Sequence, residues 1–324
     1  MVSTRKVHEP DRPPFEEWLD SLSLGAETKS KLRIVSEAPE RLLVGQEMVE
    51  ILHQLNMDDA TLSAALVFPY CEQHALDDEA IRDTFGKEIA ELIIGVRKMD
   101  AIKALHSRRF DKTKQGAEKS EEHHIDSIRR MLLAMVEDVR AVVIKMAERI
   151  CALQKVKKAD EETRVMVARE CATIYAPLAN RLGIGQLKWE LEDLAFRYLH
   201  PATYKQIARQ LDGKRKERAE YIESIVSTLQ MLLDDEHIKA EVYGRPKHIF
   251  SIWKKMQKKH LTFEQLFDIR AVRIIADRLQ DCYAALGTVH ANYRHIPNEF
   301  DDYIATPKAN GYQSIHTVII GPQG

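Results

Sequence analysis

Apolar residues recur at three- and four-residue steps from about Phe15 to Leu233, broken only by short polar connections. That period is one face of an α-helix, so this stretch is expected to be almost entirely helical. The clearest stripe runs from Ser127 to Val156. Ile128, Met131, Leu132, Met135, Val136, Val139, Val142, Val143, Met146, Ile150 and Leu153 fall on it, and it is wide enough for the central helix of a bundle. His106 to His124 offers a core only Phe110 and Ala117 among crowded Lys, Arg and Glu, and predicts a mobile loop.

Near Asp235 the period changes. Ile238 to Tyr243 alternates apolar and polar side chains as a strand does, and Gly244-Arg245-Pro246 reads as a turn. Next come a helix carrying Ile249, Ile252, Trp253 and Met256, a β-branched run from Phe267 to Ala276, a helix with Leu279, Cys282, Tyr283, Leu286 and Val289, and a strand from Ser314 to Ile320. The expected fold class is therefore α+β and multidomain. An all-α domain with its helical connection spans 1–200, and a mixed-sheet α/β domain spans 201–324. The chain stops straight after a strand and a GPQG turn, so the second domain is expected to be incomplete.

Composition narrows the classes. A length of 324 residues suits two domains of ordinary size, and 44% hydrophobic with 30% charged residues is a globular balance. Lys plus Arg is 48 against 50 for Asp plus Glu, a net of −2, so any contact with a polyanion must be local. Cys71, Cys151, Cys171 and Cys282 form no CxxC pair, which points to a reducing, cytoplasmic setting. The first residues contain no apolar secretion segment, and no run approaches the ~20 apolar residues of a membrane helix, so no membrane partner is expected.

Three segments could carry chemistry. From Tyr243 to Arg273 there are eight Lys or Arg against Glu264 and Asp268, a local surplus of six positive charges. With Pro246 at a first helical position, Lys247, Ser251 and Lys255 would step along one helix face and offer a polyphosphate cations and a hydroxyl; a solvated Lys-rich face is the alternative. Asp268 opens the strand that carries Arg270 and Arg273, where a carboxylate could hold Mg²⁺ against phosphate oxygens or simply cap a strand end. After Pro307, an extended chain would put Lys308, Asn310, Tyr312, Ser314 and His316 on one face, unless Gly311 bends it. Cation, amide, ring, hydroxyl and imidazole together suit one nucleotide; a polar edge strand is the alternative.

The strings YGRPKHIFSIWKKM, FDIRAVRII and KANGYQSIHT, in this order, strongly resemble the synthetase domain of the long RelA/SpoT homologues, the (p)ppGpp alarmone enzymes. Upstream, IYAPLANRLGIGQLKWELEDLAFRYLHP (Ile174 to Pro201) is similar to the same family's helical connection. The resemblance implies a nucleotidyltransferase-like pyrophosphokinase that moves the β,γ-diphosphate of ATP to the 3′-hydroxyl of GDP or GTP. It implies that Arg245 and Arg273 sandwich the adenine while Lys247, Ser251 and Lys255 hold the ATP phosphates, with Lys247 and Lys255 taking part in catalysis. Asp268 would bind Mg²⁺ and be catalytic. Tyr312 would stack on the acceptor guanine, with Lys308, Asn310 and His316 around its phosphates and ribose. The family's second catalytic carboxylate, a Glu soon after GPxG, would lie beyond Gly324, so these residues are expected to form a site that does not necessarily turn over. Ribosome and tRNA are implied as partners of a longer protein through C-terminal domains.

In bifunctional members of that family the helical half is an HD-type Mn²⁺ phosphohydrolase. Here Gly45 and Gln46 stand where its His-Pro pair would be, Phe68 and Pro69 in place of His-Asp, Glu72 and Gln73 in place of Glu-Asp, and Glu148 for a metal Asp. The resemblance therefore implies a pseudo-hydrolase that binds no Mn²⁺ and serves structure and regulation. His53 and the His123-His124 pair read as helix-surface and solvated residues. Glu299-Phe-Asp-Asp302 resembles the acidic stretch of synthetase-only RelA enzymes, where a local sign reversal could alter metal preference; a surface acidic turn is the alternative.

Overall fold

The computed structural model describes residues 12–111, 127–128, 130–132, 134, 137–212, 215–263, 266 and 270–322. Among these, 12–179 with 186–198 form one compact unit, and 180–185 with 199–322 form another.

The first unit is helical: α1 (Phe15–Ser21), α2 (Ala26–Leu32), α3 (Pro39–His53), α4 (Asp59–Gln73), α5 (Asp78–Phe85), α6 (Lys87–Asp111), α7 (Val139–Lys155) and α8 (Glu161–Glu170), then a π-helical turn at Cys171–Tyr175, α9 (Ala176–Arg181) and α10 (Gly185–Leu199). Aspartates start several of these helices. Asp58, Asp77 and Asp160 each accept a hydrogen bond at 2.8 Å from the amide three residues on, and Asp138 accepts one at 2.9 Å from Arg140. The Asp138 cap corrects the expected continuous helix from Ser127 to Val156, because it starts α7 at Val139 and leaves that valine 51% exposed. The expected loop from His106 also differs: His106 to Asp111 continue α6, and 112–124 lie outside the described residues. The core packs Met48, Val49 and Leu52 of α3, Ala64 to Phe68 of α4, and Val142 to Met146 of α7.

The second unit contains α11 (Pro201–Asp212), α12 (Arg215–Asp235), β1 (Ala240–Pro246), α13 (Ile249–Lys259), β2 (Arg270–Ala276), α14 (Leu279–Asn292), β3 (His295–Asp302) and β4 (Ile315–Ile319). Its strands form two separate antiparallel pairs among the described residues, β1–β2 and β3–β4, rather than the mixed sheet expected. The reversal begins at His260. Its φ of 52° ends α13 in a left-handed turn, and the amides of His260 and Leu261 both return to the Met256 carbonyl.

The Gly244–Pro246 segment is strand, not turn, and Pro246 does not open the helix, which starts at Ile249. Pro246 lies opposite Arg270 at the end of the ladder, where a missing N–H is tolerated. β3 escapes the alternation rule because a bulge containing Pro297 and Asn298 (φ 67°) breaks its register between His295 and Phe300.

Ile225, Leu229 and Leu233 of α12 pack with Val242 of β1 and with Ala285 and Val289 of α14, while Val272, Ile274 and Ile319 lean against them. The buried face of α14 runs through Asp281, Ala285 and Val289, whereas Leu279 and Tyr283 of the expected face are exposed. Gln230 of α12 closes the outer edge of β1: its amide donates to the Ala240 carbonyl and accepts from the Val242 N–H, both at 3.0 Å.

Candidate nucleotide site and the hydrolase frame

The ladder fixes the first candidate pair by backbone alone. Tyr243 pairs with Arg273 and Arg245 with Ala271, so Arg245 and Arg273 are diagonal neighbours on one face of β1–β2. The opposite face, with Val242, Val272 and Ile274, belongs to the core, and Tyr243 and Ile275 are exposed. Gly244 is required by packing, because a Cβ there would stand 2.4 Å from the Ile222 Cγ2 methyl on α12. On α13, fully buried Ile249 and Ile252 hold the helix down, and the Trp253 ring stacks on His200 at 5.5 Å. Ser251 and Lys255 are half-buried and one helical step apart. Lys247 precedes the helix start, so the expected three-residue row reduces to two plus a neighbour. Asp268 lies outside the described residues.

The Lys308–Tyr312 segment is a turn rather than the expected extended run. Gly311, with φ of 76°, bends it, and its amide reaches the Lys308 carbonyl at 2.8 Å. The bend still gathers three of the five residues. Tyr312 Oη lies 2.9 Å from His316 Nε2, and the Lys308 ammonium sits 5.4 Å from the Tyr312 ring centroid. Sequence reasoning missed the fourth member, Tyr303. Its ring lies 4.1 Å under the Lys308 ammonium and makes edge contacts with Tyr312 at 6.3 Å and His316 at 5.3 Å. Asn310 is turned to structure instead, donating from Nδ2 to the Asn180 carbonyl at 2.7 Å while its Oδ1 accepts from the Tyr312 amide at 3.2 Å. Ser314 Oγ comes only within 3.5 Å of the Ile315 carbonyl. The result is an aromatic cluster with an exposed cation on top, which can take a planar base and an anion together.

The acidic stretch has structural partners. Glu299 pairs with Lys259 at the end of α13. Asp302 accepts from the Ile304 and Ala305 amides at 2.9 Å and from Tyr283 Oη at 3.0 Å. The Ala305 amide, with help from Tyr283 and Ile304, keeps that carboxyl below its ordinary range. Asp302 thereby fixes the turn that carries Tyr303.

In the first unit, the degenerate positions scatter. Gly45 of α3 is buried, and a Cβ on it would lie 2.4 Å from the Leu66 carbonyl oxygen of α4, so a ligand side chain has no room there. Phe68 and Pro69 are buried within α4. Glu72 and Gln73 emerge at its exposed end, where Glu72 pairs with Arg97 at 2.8 Å beside a cavity of about 380 Å³ that Asp100 also lines. Phe68 and Glu148 both approach a residue outside the expected set, whose other partner, Asp100, lines the same cavity as Glu72. Lys145, 2% exposed, has its ammonium 2.9 Å from Glu148 and 5.9 Å from the Phe68 ring centroid, with Asp100 at 2.7 Å. Arg149 also holds Glu148, through both of its carboxylate oxygens, and lies 3.7 Å from Glu170.

Burial drives the Glu148 carboxyl upward, but Lys145 and Arg149 outweigh it and leave the group below its usual value. Burial likewise raises the Cys71 thiol, to about 12, so it is not a nucleophile at neutral pH. The donor set does not fit a divalent ion: among the described residues no three His, Cys, Asp or Glu side chains form a metal-holding group, and an ammonium already sits between the carboxylates. The signal was readable. Lys145 is the one charged residue among the seven of the apolar run 141–147, and has Glu148 three residues on.

Residues 37–185 match the HD domain model, and residues 244–324 match the region found in RelA / SpoT proteins. The GTP pyrophosphokinase of Escherichia coli K12 is 53% identical along the whole of this chain, and that of Haemophilus influenzae is 48% identical. The GTP pyrophosphokinase of Myxococcus xanthus is 39% identical over 85% of it. The chain spans 44%, 45% and 35% of those relatives, less than half of each. With an HD domain ahead of a RelA/SpoT region, and similarity of this kind along its whole length, the chain belongs to the RelA/SpoT family.

Proposed function

We propose that residues 201–324 carry the nucleotide site of a GTP/GDP pyrophosphokinase of the synthetase-only RelA type, and that residues 1–200 form a regulatory pseudo-hydrolase domain. The observation that carries this is the cluster of Tyr312, Tyr303, His316 and Lys308, one ring face and one exposed cation built on the β3–β4 turn. In this reading the acceptor guanine stacks on Tyr312, and Lys308 and His316 meet its phosphates and ribose. Asn310 acts by shaping the turn. The diagonal Arg245–Arg273 pair holds the adenine of ATP, with Lys247, Ser251 and Lys255 on its phosphates. Asp268 supplies a hard oxygen ligand for Mg²⁺, which would neutralise the phosphate charge. The acceptor 3′-oxygen attacks the β-phosphorus of ATP, the bond from the α-phosphate breaks, and AMP leaves. Most of the rate then comes from positioning and charge complementarity.

No helix among the described residues is long and apolar enough to cross a membrane, and a cytoplasmic setting agrees with four cysteines that form no disulfide. Ribosome and tRNA dependence belongs, in this reading, to protein outside residues 1–324.

The test follows AMP and (p)ppGpp formation from ATP with GDP or GTP in Mg²⁺, for residues 1–324 and for a form as long as the relatives. Turnover that Asp268→Asn nearly abolishes is the expected result. Activity within a few-fold of the parent removes Asp268 from the metal role. Nucleotide binding without turnover in either form favours a non-catalytic nucleotide-binding module.

A further inference from the structure

We infer that the Lys145 ammonium replaces the divalent cation of this HD-type fold, acting as a built-in counter-ion that ties α6 to α7 and lets the helical unit fold without metal. Position is the first argument. The ammonium stands between Phe68, where the hydrolase frame would have His-Asp, and Glu148, where it would have a metal Asp, and it draws in Asp100 from α6. Charge is the second. Lys145 and Arg149 face Asp100, Glu148 and Glu170, so the carboxylates of α6, α7 and α8 are held by cations carried on α7. Without them a buried carboxylate would be driven to protonate or to recruit a cation.

Geometry is the third argument. The ammonium lies 2.7 Å from Asp100 and 2.9 Å from Glu148, so a hydrogen-bonded cation already occupies the space between the two carboxylates. The Phe68 ring lines one side of the ammonium, and the close approach of α3 to α4 at Gly45 leaves no room for a further ligand. A lysine is buried this deeply only when it is paired, and here both partners are carboxylates bridging two helices.

The test reads hydrogen exchange on α7 in the full 324-residue chain. For the unmodified protein, protection is expected to be the same after chelator dialysis and after addition of MnCl₂; a metal-dependent change would overturn the inference. Lys145→Met keeps the stem and removes the charge. Loss of one partner of a buried pair should speed α7 exchange by roughly a hundredfold or more. Lys145→Met/Asp100→Asn neutralises the carboxylate left without a cation and leaves Glu148 with Arg149, so it should recover most of that protection. Unchanged exchange in the single variant, or no recovery in the double variant, overturns the inference. Should Lys145→Met not fold, the double variant still decides: a folded double supports the counter-ion role, and an unfolded one rejects it.

Discussion

The two units keep their cations in opposite ways. In the helical unit Lys145 is 2% exposed and Arg149 17%, each closed against carboxylates of its own chain, so the charge is consumed in holding helices together. In the strand-containing unit Lys308 is exposed over two tyrosine rings, and Arg273 stands on the solvent face of β2. A cation that is satisfied inside contributes to stability and offers nothing to a ligand. A cation kept at the surface over aromatic faces gives little stability and is available to a phosphate. On the proposed function, the contrast is that between a retired metal site and a nucleotide site.

The sharpest way to break that contrast is at Gly45. Its absent side chain lets α3 meet the backbone of α4: a Cβ there would stand 2.4 Å from the Leu66 oxygen and 3.2 Å from its carbonyl carbon and Cα. A backbone carbonyl inside a helix cannot step aside. Gly45→Ala is expected to cost about 3 kcal/mol of overpacking, offset by about 1 kcal/mol of helix propensity, for a net loss of about 2 kcal/mol. Urea unfolding followed by helical circular dichroism reads it. A variant as stable as the parent would mean that α3 and α4 can separate freely and that the frame could readmit a ligand at position 45.

Tyr312 tests the other side of the comparison. Losing a base-stacking ring is worth roughly 1–3 kcal/mol, so Tyr312→Ala should weaken GDP binding about five- to more than a hundredfold while changing ATP-analogue binding little. Tyr312→Phe keeps the ring and gives up only the contact to His316, so most affinity should remain. Titration calorimetry with each nucleotide, beside thermal melts, checks it. A lower melting temperature with intact GDP affinity would make the cluster a packing feature.

How much of this was legible follows from which forces are local. Helical period and the β2 run are local, and helices and the Arg270–Ala276 strand appear within the stretches they mark, although the Asp138 cap cuts the expected stripe from Ser127 to Val156 at Val139. The end of α13, the β3 bulge and the turn at Gly311 involve single backbone conformations at His260, Asn298 and Gly311, which alternation cannot report. For the site, residue types pointed to Tyr312, Lys308 and His316. Tyr303 joins only because Asp302 caps its turn, and Asn310 is taken up by a carbonyl 130 residues away in sequence. Lys145 was visible as a lysine inside an apolar stripe, but its partner Asp100 sits on another helix, and no spacing rule links them.

Gly244 offers the smallest effect and the finest discrimination. It sits inside the string that most resembles a phosphate-binding motif, yet the structure gives it a packing reason, the Ile222 methyl of α12 at 2.4 Å from a would-be Cβ. The Ile222 Cγ2 methyl sits on a β-branched carbon whose χ1 is stiff on a helix, so it yields by a small side-chain shift, which the Leu66 backbone carbonyl cannot do. Gly244→Ala should therefore cost only about 1 kcal/mol, the low end of overpacking, roughly half the net loss at Gly45. Because α12 rather than the exposed face absorbs the strain, ATP-analogue affinity should change less than about threefold, a shift under roughly 0.7 kcal/mol. Paired measurement of urea stability and ATP-analogue affinity decides between the two roles. Intact stability with a tenfold or larger loss of ATP affinity would show that the glycine is kept for close approach of the nucleotide, and that the exposed face of β1 is shaped by its ligand as much as by its core.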